Sequence, residues 1–300
     1  MRTLLVTGAA GQTGRELLRL PWPADVRLLA PSRSELDITC PDAVHSYVLA
    51  QRPSGIVNLA AYTAVDRAED EIASAYAVNA FGPAALAAAA RQVGAALVHV
   101  STDYVFGFGV GRLRLPADEP APTTVYGASK LAGEIAVRAA CNRSVIVRTA
   151  WLVSPFGSNF LKTMLRLASE RDEISVVADQ RGCPTAAGDL AAVLQRIVLR
   201  LMEEPSAPTG TYHFVNEGEA TWAELAAFIM AEAGRAGLPT ARIKPVTSAE
   251  YPARAARPSD SRLSTETLLG EYGLSNRPWR EAVSAIIHQI ANNQSRTLEL

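Results

Sequence analysis

The sequence predicts a doubly wound parallel α/β fold followed by a smaller C-terminal α/β domain. Short apolar runs alternate with helical patterns through the first half of the chain, a glycine-rich turn follows the first run, and the alternation loosens after Thr149. Short continuous apolar runs are typical of strands buried on both faces of a parallel sheet. Ligands of such sheets bind at the carboxyl ends of the strands.

The predicted elements follow one another in a regular order. Strands are expected at 4–7, 26–30, 55–60, 96–101 and 144–149, with helices between them at 12–20, 42–52, 71–92 and 124–140. Beyond Thr149 the pattern predicts a helix at 159–168, a strand at 174–178 and helices at 189–202, 221–234 and 278–291. We expect one domain over 1–149 and a second over 150–300, with the chain returning to the first domain around 184–215.

Composition excludes several classes of protein. The chain has 300 residues, 48% of them hydrophobic, and its 29 Lys+Arg nearly balance 30 Asp+Glu, which argues against disorder and against a general attraction to nucleic acid or acidic membranes. The apolar run before Gly8 is far shorter than the roughly 20 residues of a membrane span. We expect a cytoplasmic protein with neither partner. The wide spacing of Cys40, Cys141 and Cys183 predicts neither a disulfide framework nor a zinc site.

A glycine-rich turn is the first functional signal. Gly8, Gly11 and Gly14 lie between the first predicted strand and the first predicted helix. Glycine permits positive φ and close approach of a phosphate to the backbone, and a helix N-terminus supplies unpaired N–H groups. The spacing is GxxGxxG rather than the GxGxxG of the standard dinucleotide fingerprint, so a purely structural tight turn is the alternative.

The end of the second predicted strand indicates which cofactor binds. A carboxylate there would bind free ribose hydroxyls and repel a 2′-phosphate, but the chain has Arg33 between two serines. Arginine accommodates that phosphate, so NADPH is predicted over NADH; a solvated loop arginine is the alternative. Asp37 can meet the adenine edge or lead into the next helix.

A catalytic set is predicted at the fourth strand and the helix after it. Tyr126 and Lys130 are four residues apart, which places them on one helix face, and Thr102 ends the fourth strand at the same sheet edge. Tyrosine normally loses its proton near pH ~10, so acid–base use near neutrality needs a cation and a hydrogen bond nearby. A YxxxK pair alone is common on protein surfaces, but its order after the glycine turn favours catalysis.

The motifs TGAAGQTG, NLAAYTAVDRAE, HVSTDYVF, YGASKLAGE and VRTAW together resemble the dTDP-4-dehydrorhamnose reductase family of extended short-chain dehydrogenases/reductases. Similarity continues through SNFLKTMLRLA, DQRGCPT and AARPSDSRL, from Met1 to about Ile290. The resemblance implies a Rossmann-like NADP-binding domain and a sugar-nucleotide domain. It also implies NADPH-dependent reduction of a C4 keto group on a dTDP-4-keto-6-deoxy-L-sugar, with dTDP-4-dehydro-L-rhamnose and dTDP-L-rhamnose as the expected substrate and product.

The resemblance also assigns roles to residues of this chain. It makes Thr102, Tyr126 and Lys130 catalytic, and Thr102, Asp103 and Trp151 substrate contacts. Capping of the next turn is the alternative for Asp103, and core packing is the alternative for Trp151. The implied cofactor contacts are Gly11, Gln12, Thr13, Asp37, Ile38, Ala61, Tyr62 and Thr63.

Further positions indicate how the substrate diphosphate could bind and whether magnesium binds. Arg257 is a candidate for the substrate diphosphate, since guanidinium grips phosphate oxygens in bidentate fashion; a solvated arginine is the alternative. Some family members form magnesium-linked dimers through glutamates, and Glu16 matches one of them, but Gly188 stands where another is expected. We therefore predict no metal, interpret Glu16 as a solvent-facing residue of a first helical turn, and leave a homodimer open. The four histidines are interpreted as structural.

Other functions are alternatives to a reductase. A sugar-nucleotide dehydratase or epimerase shares this fold, but related dehydratases carry Thr-Asp-Glu where this chain has Thr102-Asp103-Tyr104. A noncatalytic NADP-binding regulatory subunit is a further alternative, and the presence of Thr102, Tyr126 and Lys130 argues against it.

Overall fold

The computed structural model describes residues 1–108, 111–251 and 253–298. Within these ranges the strands are β1 (Arg2–Thr7), β2 (Val26–Leu29), β3 (Gly55–Asn58), β4 (Ala96–Thr102), β5 (Ser144–Thr149), β6 (Leu152–Val153), β7 (Glu173–Val177), β8 (Arg181–Gly182), β9 (Thr185–Ala186), β10 (Gly210–His213), β11 (Ala220–Thr221) and β12 (Arg242–Val246).

The helices complete the alternation. They are α1 (Gln12–Arg19), α2 (Pro41–Gln51), α3 (Val65–Ala68), α4 (Ile72–Tyr76), α5 (Gly82–Val93), α6 (Val125–Ala140), α7 (Phe160–Ala168), α8 (Ala187–Glu203), α9 (Trp222–Arg235), α10 (Glu266–Tyr272) and α11 (Trp279–Leu298). A π-helical turn, Ala77–Phe81, joins α4 to α5, and a 3₁₀ turn, Asp103–Val105, follows β4. The predicted bounds lie within two residues of these, with two exceptions: the single helix predicted at 71–92 is divided into α4, the π-helical turn and α5, and α11 continues to Leu298.

Six parallel strands form the central sheet in the order β10-β5-β4-β3-β1-β2. The chain winds outward from β1 in both directions, so the strand order reverses between β1 and β3. In open parallel sheets the ligand crevice opens at such a point, beyond the carboxyl ends of the strands. The doubly wound parallel fold predicted from sequence is confirmed.

Helices cover both faces of this sheet. Helices α1 and α8 pack on one face, where Leu4 and Val6 of β1 join the core, while α2, α5 and α6 pack on the other with Leu5. The alternation of neighbouring β1 residues between two cores explains why the strand reads as a continuous apolar run. One helical run, 72–93, is long and apolar enough to cross a bilayer, and it lies between α2 and α6.

A smaller lobe is built from later parts of the chain. Helices α7, α9 and α11 pack around the parallel pair β7–β12, with Trp279, Leu225 and Ile229 fully or almost fully buried among them. Between segments of this lobe the chain crosses back, because α8 packs on α1 and β10 pairs with β5 at the edge of the main sheet.

A buried ion pair ties α6 to β5. Glu134 accepts hydrogen bonds from Arg148 Nε at 2.9 Å and Nη2 at 2.7 Å, and their side chains are 0% and 2% exposed. Arg138 also reaches Glu134 Oε2 from solvent at 3.3 Å. Because both oxygens of the carboxylate are bound, the pair satisfies two charges that would otherwise be very costly to bury.

Candidate active site

A cleft of about 1300 Å³ opens at the carboxyl ends of the strands and is walled on one side by the smaller lobe. It brings together every residue for which a site role was predicted. These are Gly8, Gly11, Gln12, Thr13, Gly14, Arg33, Asp37, Ile38, Ala61, Tyr62, Thr63, Thr102, Asp103, Tyr126, Lys130, Trp151 and Arg257.

The glycine turn forms the floor of the cleft at the start of α1. Gly8 has φ +69°, and a Cβ on it would lie 2.5 Å from the backbone nitrogen of Ala60; a Cβ on Gly14 would lie 2.6 Å from Ala9 Cα. Gly11 has no side chain to cap the helix it begins, so nothing on this residue covers the first-turn N–H groups. This arrangement fits a ligand phosphate at the helix N-terminus.

Arg33 lies at the far end of the cleft with a largely free guanidinium. Its side chain is 79% exposed, and its one ion pair within the described ranges is a 3.4 Å contact from Nε to Asp37. Asp37 is held mainly by Thr39, whose N–H and hydroxyl donate at 2.9 and 2.8 Å and lower the pKa of the carboxyl. Arg33 can therefore reach an anionic group without breaking a strong contact.

The loop after β3 is fixed by an asparagine on the π-helical turn. The Asn79 carboxamide accepts from the Tyr62 N–H at 2.8 Å, donates to the Tyr62 carbonyl at 3.1 Å and donates to Ser129 Oγ on α6 at 3.0 Å. Helix α6 comes close enough because it has Gly133 there, where a Cβ would lie 2.1 Å from the Asn79 carbonyl. One side chain thus joins the predicted cofactor loop to the helix that carries Tyr126.

Tyr126 and Thr102 meet where α6 begins. The Thr124 hydroxyl caps α6 by accepting from the Gly127 N–H at 3.0 Å, and a Cβ on Gly127 would lie 2.1 Å from the Tyr104 carbonyl. This close packing brings the Tyr126 phenol to the Thr102 hydroxyl. Burial raises the pKa of Tyr126 to about 12, against the smaller opposing effect of the hydrogen bond with Thr102. The phenol is therefore protonated at neutral pH.

Three buried oxygen atoms around this point have no hydrogen-bond partner within the described part of the chain. They are Ser101 Oγ, Thr149 Oγ1 and Asp103 Oδ2, and all three residues line the cleft. The other Asp103 oxygen accepts from Thr102 at 2.9 Å, and burial raises the pKa of Asp103 to about 6. Buried polar atoms are normally satisfied, so these atoms point to a polar ligand.

Lys130 is buried at the back of the cleft. Its Nζ donates to the Val100 carbonyl at 2.7 Å and lies 3.4 Å from His99 Nε2. Burial lowers the pKa of Lys130 to about 8, against the opposing effect of Glu134. Tyr126 and Lys130 both lie on α6 and line the cleft, but the lysine's polar contacts are made with β4.

The smaller lobe contributes an aromatic surface. Trp151 has φ +48° and stacks on Trp222, with ring centroids 3.5 Å apart and an interplanar angle of 8°. Trp151 also lies flat on Gly182, where a Cβ would come within 2.4 Å of the indole. A non-glycine residue at positive φ is strained, and such strain tends to occur at ligand sites.

Hydrogen bonds bridge the cleft at two places. Arg257 donates to Asp66 on α3 at 2.7 Å, and the Ala255 N–H donates to the other Asp66 oxygen at 3.0 Å. Near the glycine turn, Asn159 donates to the Gln12 side chain at 2.9 Å. Arg257 therefore already binds an anionic group, although a carboxylate rather than a phosphate.

The interpretation of Glu16 as a solvent-facing first-turn residue is wrong. Glu16 lies in the second turn of α1 and is half-buried, with burial raising the pKa of its carboxyl and Ser154 donating to it at 3.4 Å. A Cβ on Gly188 would lie 3.6 Å from the Glu16 carboxyl carbon, so Gly188 does face Glu16. The neighbouring Asp189 instead accepts from Arg277 at 2.8 Å and from Asn216 at 2.7 Å.

The sequence predicted no role at the site for four residues of the cleft and its surroundings: Trp222, Asn79, Asp66 and His99. A polar residue inside an apolar strand pattern was a usable signal for His99, in ALVHVS, and for Asn58, in GIVNLA. The partners of Trp222, Asn79 and Asp66 lie far away along the chain, so no local pattern marks them.

The parallel sheet, the glycine turn and the tyrosine–lysine–threonine set define a nucleotide-cofactor-dependent oxidoreductase of the extended short-chain dehydrogenase/reductase class. A model of the family described as RmlD substrate binding domain matches residues 1–292. The chain belongs to this family, that of the dTDP-4-dehydrorhamnose reductases.

Individual relatives are similar over nearly their whole length. The dTDP-4-dehydrorhamnose reductase of Sinorhizobium fredii is 40% identical over 285 residues, which cover 95% of this chain and 96% of that protein. A crystal structure of a dTDP-4-dehydrorhamnose reductase from Clostridium acetobutylicum has a TM-score of 0.90 and 37% identity, covering 96% of this chain and 99% of that one. The Bacillus anthracis enzyme in complex with NADP has a TM-score of 0.89 and 39% identity, with 96% and 100% coverage.

Proposed function

We propose that the chain is an NADPH-dependent dTDP-4-dehydrorhamnose reductase, which reduces the C4 keto group of dTDP-4-dehydro-L-rhamnose to give dTDP-L-rhamnose. The observation that carries this proposal is the meeting of Thr102 and the protonated Tyr126 phenol in the same cleft as the glycine turn. Family membership supports the substrate class. We further propose that the enzyme acts in the cytoplasm on a dTDP-sugar, without a nucleic-acid or membrane partner.

The glycine turn and the loop around Arg33 fit an NADP cofactor. Gly8 and Gly14 let the turn pack closely on the backbone of Ala60 and Ala9, and α1 presents its N-terminus to the cleft there. The exposed guanidinium of Arg33 suits a 2′-phosphate. When bound, the cofactor supplies the hydride that reduces the carbonyl.

Tyr126 supplies the proton in this proposal. Its phenol is protonated at neutral pH, so the hydroxyl can donate to the carbonyl oxygen as negative charge develops there. The Thr102 hydroxyl, which donates to Asp103 in this structure, turns its proton to the same oxygen in this proposal and stabilises that charge. Lys130 holds the nicotinamide ribose hydroxyls through Nζ.

The smaller lobe binds the rest of the substrate. Trp151 and Trp222 line the cleft as a stacked pair and offer apolar contacts to the sugar or base, and Arg257 binds the diphosphate in place of Asp66. Asp103, with one oxygen free, accepts a hydrogen bond from a sugar hydroxyl.

The proposal is tested by mixing the purified chain with NADPH and dTDP-4-dehydro-L-rhamnose and following NADPH absorbance, with NMR identification of the product. Stoichiometric oxidation of NADPH with formation of dTDP-L-rhamnose is expected. NADPH binding without turnover would favour the regulatory-subunit alternative. Conversion of the sugar without net consumption of NADPH would favour an epimerase or dehydratase.

Arg33→Ala is expected to weaken NADPH binding roughly 5- to 150-fold, because it removes a charge-assisted hydrogen bond worth about 1–3 kcal/mol. NADH has no 2′-phosphate, so its affinity is expected to change little. Fluorescence titration of both cofactors checks this. Equal losses for NADPH and NADH would show that Arg33 does not distinguish them.

Turnover is expected to persist in EDTA. Gly188 offers Glu16 no second carboxylate, and the residues in the described ranges contain no cluster of three or more His, Cys, Asp or Glu side chains that could hold a metal ion. Steady-state rates of a chelated sample, with and without added magnesium, provide the measurement. A loss on chelation that magnesium restores would contradict this prediction.

A further inference from the structure

A row of buried polar side chains crosses three neighbouring strands of the sheet and ends at α6. In the sheet register Thr7 of β1 lies opposite Asn58 of β3, and Asn58 lies opposite His99 of β4. Thr7 Oγ1 donates to Asn58 Oδ1 at 2.7 Å, and Asn58 Nδ2 lies 3.0 Å from His99 Nδ1. None of the three is more than 3% exposed, and the row ends at Lys130, whose Nζ is 3.4 Å from His99 Nε2.

The direction of these hydrogen bonds is fixed by the backbone. The Ala60 N–H, which can only donate, points at the same Asn58 oxygen as Thr7, at 3.2 Å. The atom facing Ala60 must therefore be the carbonyl oxygen of the carboxamide, which turns the Asn58 NH₂ group toward His99.

This orientation determines where the imidazole of His99 carries its proton. Nδ1 accepts from the Asn58 NH₂ group, so the proton of the neutral ring is on Nε2. Burial, together with the nearby Lys130, holds the pKa of His99 well below its ordinary value, so the ring stays neutral. The Nε2–H then points at Lys130 Nζ.

Lys130 Nζ lies next to this N–H and has no carboxylate partner within the described residues that would stabilise its ammonium form. No ion pair of Lys130 occurs within residues 1–108, 111–251 and 253–298, because the carboxylate one turn further along α6, Glu134, is bound on both oxygens by Arg148. An ammonium has only donors to offer, whereas an amine has a lone pair that can accept from the Nε2–H. The other titratable groups on the elements packed against α6 are Asp66, Arg67, Tyr76, Arg91, Asp103, Tyr104 and Arg148.

We propose that His99 is a positioning residue for Lys130: its Nε2–H, oriented through Asn58 and Thr7, fixes Nζ at the back of the cleft and favours the amine over the ammonium. Thr7 directly precedes Gly8, so the same row connects the glycine turn to the lysine. The role of this lysine in holding the cofactor rests on the proposed function. The proton position on His99 does not.

The first test is spectroscopic and needs neither cofactor nor substrate. A long-range ¹H–¹⁵N spectrum of the chain labelled with ¹⁵N-histidine reports the tautomer of each ring, and the signals absent from His99→Asn identify His99. We expect a neutral ring protonated on Nε2 throughout the range from neutral to mildly alkaline pH. A ring protonated on Nδ1, or on both nitrogens, would overturn the proposal.

The second test is the pH dependence of NADPH binding, followed by fluorescence. The ammonium form of Lys130 binds ribose hydroxyls and an anionic cofactor better than the amine, so binding weakens as pH rises through the pKa of Lys130. His99→Asn keeps an acceptor for Asn58 but removes the donor facing Nζ, so this weakening is expected about one pH unit higher. His99→Gln places an amide N–H toward Nζ, and its midpoint is expected close to that of the parent.

A matched control is the second fully buried histidine of the sheet, His213 on β10, which lies outside the cleft. His213→Asn removes a buried imidazole and is expected to lower thermal stability without moving the midpoint. If the midpoint of His99→Asn equals that of the parent, or moves as far in His213→Asn, His99 is only a packing residue. Failure of the parent to reduce the sugar would refute the proposed function while leaving both the tautomer and the binding midpoint measurable.

Discussion

Tyr126→Phe is expected to lose about two to four orders of magnitude in kcat, the usual contribution of general acid catalysis. The substitution removes only the phenol oxygen, and the ring keeps its edge-to-face packing on Tyr104, with centroids 5.4 Å apart. Folding and NADPH affinity are therefore expected to survive. Steady-state rates beside a fluorescence titration of NADPH separate the two effects.

Two further variants define what this result means. Lys130→Met is expected to impair both NADPH binding and turnover, because the lysine is assigned to the cofactor ribose. Tyr47→Phe removes a phenol oxygen from α2, outside the cleft, and provides the control for loss of a tyrosine hydroxyl. If Tyr126→Phe retained kcat within about threefold of the parent, Tyr126 would not be the acid.

Glu134→Gln is expected to destabilise the fold by about 3–5 kcal/mol, since it leaves the buried guanidinium of Arg148 without its charge partner. Urea unfolding should show a lower midpoint with an unchanged m-value. Removing the charge from an exposed pair is the matched control. Glu170→Gln breaks the i,i+4 pair with Arg166, both of whose side chains are about half-exposed, and should change stability by about 0.5 kcal/mol or less.

A loss of less than about 1 kcal/mol in Glu134→Gln would mean that Arg148 finds another partner or reaches water. The Pro116 carbonyl, which accepts from Arg148 at 3.3 Å, is the available substitute. Comparing Glu134→Gln with Arg148→Met would then show whether the pair or the arginine alone stabilises the fold.

The sequence was sufficient for the cleft and for five of the six strands of the sheet, because these depend on local signals; the edge strand β10 was not predicted. Buried parallel strands such as β5 require continuous apolar runs. A phosphate turn requires glycine at positions such as Gly8, where a Cβ would collide with the backbone of Leu59 and Ala60 after β3. Lys130 could be placed near Tyr126 because helix periodicity alone puts them on one face.

Features that depend on distant contacts could not be predicted in the same way. Trp222 stacks on Trp151 across a gap of many residues, and Asp66 meets Arg257 from the opposite wall of the cleft. A conventional amphipathic pattern also failed to reveal the π-helical turn at Ala77–Phe81, because one extra residue in a turn leaves the apolar periodicity on either side almost unchanged.

The π-helical turn makes the position of Asn79 sensitive to deletion of a single residue. A π-helical turn holds one more residue than an α-helical turn, so deletion of codon 77 or 78 is expected to restore an ordinary helix and rotate Asn79 relative to α4. The carboxamide would lose Tyr62 or Ser129, and Gly133 would face a different part of the backbone. A one-residue deletion here is therefore expected to disturb the predicted cofactor loop as a substitution of Asn79 would, without changing any residue that contacts it.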